Sequence, residues 1–140
     1  MFRVPLGSTL GSFLYLLYTA PLGYILWVYG VRFLMYAGNT QLYMSFKSSI
    51  TSDIERFRCN LESCVRAIER WMLHNSLKLN GDRTKLLILH AKQTPAPPLN
   101  SVNIGDLVIS FSESYMNIGV IFDSHMNFDE HVKNICRVAF

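Results

Sequence analysis

The sequence predicts an α+β fold in which a small antiparallel sheet, containing a β-hairpin, packs on helices. Aromatic and large apolar residues fill two strand-like runs, 33–36 and 41–44, on either side of a turn sequence. An amphipathic helix pattern then covers 52–75, and several short strand patterns precede a last helix pattern from residue 127 onward. A chain of 140 residues can bury one hydrophobic core, so we expect a single domain.

The first third of the chain carries almost no charge. Charged residues make up 16% of the chain, yet before Lys47 only Arg3 and Arg32 are charged, and the first carboxylate is Asp53. The uncharged run 4–31 is long enough to cross a bilayer, which makes a signal anchor or a membrane span one interpretation. Prolines and glycines, however, divide the run into pieces of about ten residues, a length more typical of buried core segments.

The elements of the first half follow from local patterns. Leu10–Tyr18 is apolar on every side, which predicts a short buried helix. Between the two strand-like runs, Gly38 and Asn39 favour a tight hairpin turn, because both residues tolerate positive φ. The long helix is expected to begin with a capping box formed by Ser52 and Glu55. One stripe of this helix is predicted to face the core: Ile54, Phe57, Leu61, Cys64, Val65, Ile68, Trp71 and Met72.

The second half is predicted to contain short strands followed by one helix. A strand is expected at 86–89, and the Gly-Asp turn sequence at 105–106 indicates a second hairpin. A further buried strand is expected at 118–122. Asn127 is predicted to cap the last helix, with Glu130 completing a capping box. The apolar face of that helix consists of Val132, Ile135, Cys136 and Ala139.

The net charge says little about binding partners, whereas the cysteine content bears on the cellular compartment. The three cysteines Cys59, Cys64 and Cys136 are an odd count and lack the dense spacing of a secreted disulfide framework. Small thiols in a reducing compartment are the simplest interpretation, which favours an intracellular location in the cytoplasm or nucleus. The formal net charge of +3 is too small to indicate nucleic-acid binding by itself.

The chain also carries a series of motifs in a recognisable order. These motifs are Val4–Ser8, Tyr36–Tyr43, Trp71–Thr84 and Asn117–Ser124. In this order and at this spacing they resemble the palm domain of reverse transcriptases, the RNA-directed DNA polymerases of non-LTR (LINE-type) retrotransposons. The resemblance implies a truncated polymerase palm over 1–124 and the start of a thumb helix over 125–140. It also makes a membrane span over 4–31 less favoured, because the apolar run would then be palm core.

The first of these motifs resembles a loop that the family uses near the template and the incoming nucleotide. The family has valine, proline, glutamine, glycine and serine in this loop. Pro5, Gly7 and Ser8 match it here, whereas Leu6 stands where the family has glutamine. The resemblance therefore implies the remnant of a nucleotide and template loop that has lost one polar contact.

The second motif resembles the hairpin that binds metal ions in the family. Tyr36 and Ala37 match its start, but Gly38 and Asn39 occupy the positions of two aspartates. The family's reaction uses two Mg²⁺ ions to activate the primer 3′-hydroxyl and stabilise the leaving pyrophosphate, and Mg²⁺ requires charged oxygen ligands. The family also uses an upstream aspartate, whereas no acidic residue precedes Asp53 in this sequence. We therefore expect no bound metal, no cofactor and no polymerase activity.

Two other interpretations stay open, and neither involves a small-molecule substrate. In the intact family the partner is an RNA or DNA primer–template, which this chain is expected to bind weakly or not at all. A non-catalytic nucleic-acid-binding remnant would contact phosphates through Arg56, Arg58, Lys78, Arg83 and Lys85. A solvated helix face, and for Arg83 a solvated turn, are the simpler interpretations of these residues. The other alternative is a small membrane protein anchored by residues 4–31.

Overall fold

A computed structural model of the chain describes residues 9–36, 38–104 and 107–139. It confirms a mixed α+β architecture. The chain divides into two compact units, Met1–Leu79 and Asn80–Phe140, where its length alone predicted one core. The palm boundary expected after residue 124 stays a prediction. In chain order the elements are α1 (Thr9–Thr19), α2 (Pro21–Val28), β1 (Arg32–Tyr36), β2 (Asn39–Tyr43), α3 (Thr51–His74), a 3₁₀ turn (Gly81–Arg83), β3 (Leu86–Leu87), β4 (Ser101–Ile104), β5 (Leu107–Ser112), β6 (Ser114–Asn117), β7 (Val120–Asp123) and α4 (Asp129–Ala139).

In the first unit, two helices precede a β-hairpin. The helix expected at Leu10–Tyr18 is present as α1, and Pro21 at the first turn of α2 begins a second helix that was not predicted. β1 and β2 pair antiparallel, with Tyr36 opposite Asn39. Asn39 therefore opens β2 and does not stand in the turn, so that only Gly38 of the two predicted turn residues lies there.

α3 is the longest element, with 24 residues and one buried stripe. The buried members of the stripe were all predicted to face the core: Ile54, Leu61, Cys64, Val65 and Ile68. The predicted capping box is wrong. Ile50 precedes the first turn, and within the described residues no side chain caps that end. Ser52 lies inside the helix, and the carboxylate of Glu55 accepts from the guanidinium of Arg58.

The core of the first unit joins α2, α3 and the hairpin. Its buried residues are Leu22, Leu26, Val31, Cys64 and Ile68, against which Met35 of β1 and Leu42 of β2 pack. The prediction that α1 is buried is wrong. Of its described side chains only Thr19 is buried, with its hydroxyl donating to the carbonyl oxygen of Tyr15 at 2.8 Å. The exposed apolar residues of α1 are Leu10, Phe13, Leu14, Leu17 and Tyr18.

The second unit holds a three-stranded sheet in the order β3-β5-β4. β4 and β5 form the predicted antiparallel hairpin, with Ile104 opposite Leu107, and its turn at 105–106 lies outside the described residues. β3 is shorter than the predicted strand 86–89 and runs parallel to β5, with Leu86 opposite Phe111. The expectation of one antiparallel sheet is therefore wrong, because the described strands form three small sheets and one of them is mixed.

A second hairpin, β6–β7, and helix α4 complete this unit. The start of the predicted strand 118–122 is wrong: Ile118 and Gly119 form the turn between β6 and β7, with φ of 49° and 81°. α4 is present, but it has no buried side chain among its described residues, and Val132 and Ile135 on its predicted core face are exposed. The backbone N–H of Asn127, the predicted cap of α4, donates to the carboxylate of the last β7 residue at 3.0 Å.

Candidate functional site

The tip of the β1–β2 hairpin holds the two residues that the resemblance places at a metal site. Tyr36 and Asn39 pair across the last rung, and Gly38 precedes Asn39 in the turn. All three are exposed. A Cβ added to Gly38 would meet nothing within 4 Å, and its φ lies outside the left-handed region. The backbone would therefore accept an aspartate at this position, so the glycine reflects no conformational requirement of the turn.

The tip does not have the ligands that Mg²⁺ requires. Gly38 offers no side-chain oxygen, and Asn39 offers one neutral amide oxygen. The first carboxylate along the chain, Asp53, accepts from the backbone N–H of Lys47 at 3.4 Å and from the guanidinium of Arg56. Lys47 lies beyond Tyr43, the last residue of β2. Tyr43 itself is about 14 Å along the strand from Asn39. Across the described part of the chain, no three His, Cys, Asp or Glu side chains are grouped as a metal site.

Several residues of the predicted site lie where no geometry can be assigned. Pro5, Leu6, Gly7 and Ser8, which form the predicted template and nucleotide loop, fall outside the described residues. The same holds for Ala37 of the hairpin. Tyr36 is described, ends β1 and is 60% exposed. The relation between the hairpin tip and the predicted nucleotide loop therefore stays a prediction.

Arg56 and Arg58 lie in the first turns of α3, where each is paired with an acidic neighbour on the same helix. Arg56 contacts Asp53, and Arg58 contacts Glu55. The hydrogen bond from Arg58 lowers the pKa of the Glu55 carboxyl, and the same bond raises the pKa of Arg58. A local ion pair of this kind partly neutralises an arginine that a phosphate would otherwise attract. This arrangement supports the solvated-face interpretation of both arginines.

The other predicted phosphate contacts lie elsewhere. Lys78 follows the end of α3, and Arg58 is about 24 Å from that end along the helix axis. In the second unit, Arg83 ends a 3₁₀ turn that Asn80 caps, and its side chain is exposed, as expected for a solvated turn residue. Lys85 is exposed just before β3. Arg83 and Lys85 are therefore neighbours, whereas Arg58 and Lys78 are far apart on the first unit.

An open groove in the second unit was not anticipated from the sequence. It has a volume of about 790 Å³ and is lined in part by Asp123, His125, Glu130 and Lys133. The imidazole rings of His90 and His125 meet edge to face, with centroids 4.6 Å apart. Nδ1 of His125 lies 3.2 Å from the carbonyl oxygen of His90. The two histidines are distant in sequence and follow no ligand spacing, so the sequence contains no signal that would have paired them.

Asp123 is the most strongly bound acidic group of this groove. Its carboxylate accepts backbone N–H groups from His125 at 2.9 Å, Asn127 at 3.0 Å and Phe128 at 2.7 Å. The bond from Asn127, followed by those from His125 and Phe128, lowers the pKa of Asp123. Asp123 is the last residue of β7, and these bonds fix the backbone of the turn between that strand and α4. A carboxylate engaged by backbone donors in this way serves local structure.

Comparisons of the chain with protein-family models, with curated proteins and with solved structures found no match. The resemblance to reverse-transcriptase palms therefore stays a prediction from the order of the sequence motifs.

Proposed function

We propose that this chain is a palm fragment of a non-LTR retrotransposon reverse transcriptase that no longer catalyses nucleotidyl transfer. The observation that carries the proposal is the β1–β2 hairpin, whose tip bears Gly38 and Asn39 and which is followed by the long helix α3. A hairpin with two tip positions before a long amphipathic helix is the order that the resemblance predicts. β1 and β2 pair as far as Tyr36 and Asn39 without a carboxylate at either tip position.

The loss of chemistry follows from the ligands. Two divalent ions held side by side need negatively charged oxygens, both to replace their water and to offset their mutual repulsion. One amide oxygen at Asn39 supplies no charge. Without the ions, the primer 3′-hydroxyl is not activated and the charge of the leaving pyrophosphate is not stabilised. The fold is unaffected, because the turn needs no carboxylate.

A primer-extension assay with purified protein tests the proposal directly. With Mg²⁺ or Mn²⁺ and an RNA template, we expect no extension. The Gly38→Asp, Asn39→Asp variant should also be inactive, because the family uses a further upstream aspartate and no acidic residue precedes Asp53. Metal-dependent extension by the unmodified chain would overturn the proposal.

Metal binding measured by NMR tests the same proposal through a signal change that should appear in a variant. In the double aspartate variant, Mn²⁺ should broaden the amide NMR signals of Tyr36 and Thr40, which flank the tip, and in the unmodified chain it should not. Placing two aspartates at Ser48 and Ser49 provides the matched control, since it adds the same charge in a loop of the same unit. Equal broadening at the tip in the unmodified chain would show that Asn39 already holds the ion.

The second candidate is a nucleic-acid-binding remnant, and the exposed pair Arg83 and Lys85 favours it. None of the ion pairs found among the described residues involves either of them or Lys78. Fluorescence anisotropy with a labelled primer–template duplex should then show affinity that falls steeply with salt. The Arg83→Gln, Lys85→Gln variant should reduce the slope of log K against log salt by about two. Lys92→Gln, Arg137→Gln is the charge-matched control, and absence of binding at low salt would exclude this candidate.

A further inference from the structure

The helices α1 and α2 form one long apolar stretch with most of its surface uncovered. Leu10–Val28 has 19 residues near the N-terminus and, by length and composition alone, is apolar enough to cross a membrane. Only 22% of its most apolar window is buried within the first unit. Its exposed large apolar side chains are Leu10, Phe13, Leu14, Leu17, Tyr18, Tyr24, Trp27 and Val28.

These exposed side chains share one face. Ala20, between the two helices, has right-handed helical φ and ψ of −51° and −37°, so the helical path continues from α1 into α2. Along such a path, residues spaced alternately by three and four positions lie on one side. Leu10, Leu14, Leu17, Tyr24 and Val28 follow that spacing, with the exposed Pro21 between them. We call this surface, together with Phe13, Tyr18 and Trp27, the apolar stripe.

The opposite face of the same helices is used by the core. Leu22 is 4% exposed and Leu26 is fully buried, and both belong to the cluster that contains Cys64 and Ile68 of α3. Thr19 is also fully buried on this side. The two helices therefore have one face against the unit and one face open, and the open face is as apolar as the buried one.

We infer that the apolar stripe docks on a lipid bilayer, with α1 and α2 lying in the plane of its surface. No residue from Val4 to Val31 is charged, while Arg32, directly beyond, is exposed and would meet anionic headgroups. Tyr24 and Trp27 stack with ring centroids 6.1 Å apart and are 69% and 72% exposed. Tyrosine and tryptophan side chains of this kind are enriched at the level of the headgroups.

A bilayer fits the stripe better than a protein partner does. Protein interfaces of ordinary size carry about ten direct hydrogen bonds in addition to their apolar core. The stripe offers few polar groups for such bonds, and the hydroxyl of Tyr18 already donates to the carbonyl oxygen of Asn75 at 2.7 Å. Lipid chains need no hydrogen-bond partner. An uncharged apolar face that carries aromatic rings, and that an exposed arginine follows in the sequence, therefore matches the chemistry of a membrane surface.

The packing of α2 on α3 favours the in-plane arrangement over a membrane span. A span over Leu10–Val28 would either separate Leu22 and Leu26 from Cys64 or draw α3 into the hydrocarbon. α3 carries arginines on its polar face, which are costly in that environment. Lying in the plane leaves this core intact and buries only the stripe. Membrane docking of this face is also independent of whether the hairpin tip binds a metal.

Co-flotation with phosphatidylcholine–phosphatidylserine vesicles tests the docking. We expect the full chain to float, and the Phe13→Ser, Trp27→Ser variant to partition about tenfold or more less strongly, since two large apolar contacts are lost. Leu73→Ser, Val138→Ser is the matched control, because both residues are more than 70% exposed outside the stripe (71% and 79%) and should change partitioning less than twofold. Circular dichroism of each variant establishes that it is folded.

Two results would overturn the docking proposal. One is equal loss of flotation in the stripe and control variants. The other is a chain that does not float but forms a dimer in lipid-free buffer, by sedimentation, which the stripe variant dissociates. That second result would assign the stripe to another copy of the chain.

Fluorescence quenching by brominated lipids distinguishes the in-plane arrangement from a span. In the Trp27→Phe, Trp71→Phe background, a Leu17→Trp change places the sole tryptophan in the middle of the stripe, and a Val28→Trp change places it at the end of the stripe. Both positions lie on the same row of exposed residues. For helices in the plane, lipids brominated near the headgroup should quench both reporters to the same degree. Deeper quenching of the reporter at position 17 than of the reporter at position 28 would show that the stretch crosses the bilayer and would overturn the in-plane arrangement.

Discussion

The carboxylate of Asp123, at the end of β7, accepts a hydrogen bond of 2.7 Å from the backbone N–H of Phe128, directly before α4. The same carboxylate binds the N–H groups of His125 and Asn127. Phe128 also has a φ of 61°, so the connection bends sharply before the helix begins. One side chain thus organises the whole turn between the last strand and the last helix.

We expect Asp123→Asn to lower the thermal midpoint of the second unit and to reduce its acid sensitivity. Folding lowers the pKa of Asp123, so its contribution to stability is complete above the ordinary aspartate pKa of about 3.9 and is lost as the pH falls below it. Thermal unfolding measured from neutral pH to about pH 3 checks this. Asp82→Asn, at an exposed carboxylate of the 3₁₀ turn, is the control for the removal of one negative charge from the same unit. An identical profile in the unmodified chain and Asp123→Asn would contradict the assignment.

A substitution in the β6–β7 turn should stabilise the second unit. Ile118 adopts a φ of 49° with a β-branched side chain that is 54% exposed, whereas Gly119 at 81° pays no such penalty. Ile118→Asn should raise the free energy of unfolding of the second unit by about 1 kcal/mol, because Asn-Gly is the favoured pair for positive φ at both positions. Gly119→Ala should lower it by about the same amount. Denaturant unfolding of the two variants measures whether each change raises or lowers the free energy of unfolding. A stabilising Gly119→Ala would refute the turn geometry.

The three thiols should differ in reactivity. All three are free, Cys59 and Cys136 are exposed, and burial raises the pKa of Cys64 to about 11. An alkylating reagent at about pH 8 should therefore modify Cys59 and Cys136 in the folded chain and reach Cys64 only on unfolding. Mass spectrometry of the labelled peptides reports the order. Rapid labelling of Cys64 in native conditions would mean that the core of the first unit opens readily.

The same thiol should give the first unit an alkaline limit. Because the folded pKa is raised, the contribution of Cys64 is present below the ordinary thiol pKa of 9.0 and is lost as the pH rises towards about 11. The loss amounts to about 3 kcal/mol. The test is the slope of unfolding free energy against pH in this range, compared with Cys64→Ala, which lacks the group. Parallel slopes in the two proteins would rule out the effect.

Leu26 should be the most sensitive apolar position of the first unit. It is fully buried between α2 and α3, and Leu26→Ala should lower the free energy of unfolding by about 2–5 kcal/mol. Leu73→Ala, at a position on α3 that is 71% exposed, should change it by about 0.5 kcal/mol or less. Urea unfolding followed by far-UV circular dichroism compares the two. Similar losses for both would mean that α2 does not pack as described.

Turn chemistry and helical spacing predicted much of the fold, and the exceptions have identifiable causes. The hairpin lies where Gly38 and Asn39 predicted it, although Gly38 does not adopt the positive φ on which that prediction relied. The buried stripe of α3 follows from its spacing. The β6–β7 turn was missed because Ile118 continues an apolar run and disfavours positive φ, so its sequence argues against a turn. α2 was missed because Pro21 was interpreted as a break in the apolar run, whereas in the structure it occupies the first turn of a helix.

The candidate site was predictable only where its residues are close in sequence. Tyr36 and Asn39 are joined by a short turn, and the structure pairs them. The basic residues proposed for phosphate contact share a charge but no local pattern. Arg58 lies in the first half of α3, and Lys78 lies beyond its last residue. His90 and His125 come together only in the tertiary structure. Nδ1 of His90 lies near the carbonyl oxygen of Thr94 in its own loop, and Nδ1 of His125 lies near the carbonyl oxygen of His90.

The parallel pairing of β3 with β5 affects how the second unit assembles. β4 and β5, like β6 and β7, close over short turns, and hairpins of this kind form in about 1–10 μs. Leu86 pairs with Phe111, from which the proline-rich segment 94–98 and β4 separate it in the sequence. We therefore expect β3 to pair with β5 only after the β4–β5 hairpin has formed. With two residues, β3 also adds few contacts to the hairpin that receives it. We expect its amides to gain protection last in pulsed hydrogen exchange and to lose it first on unfolding.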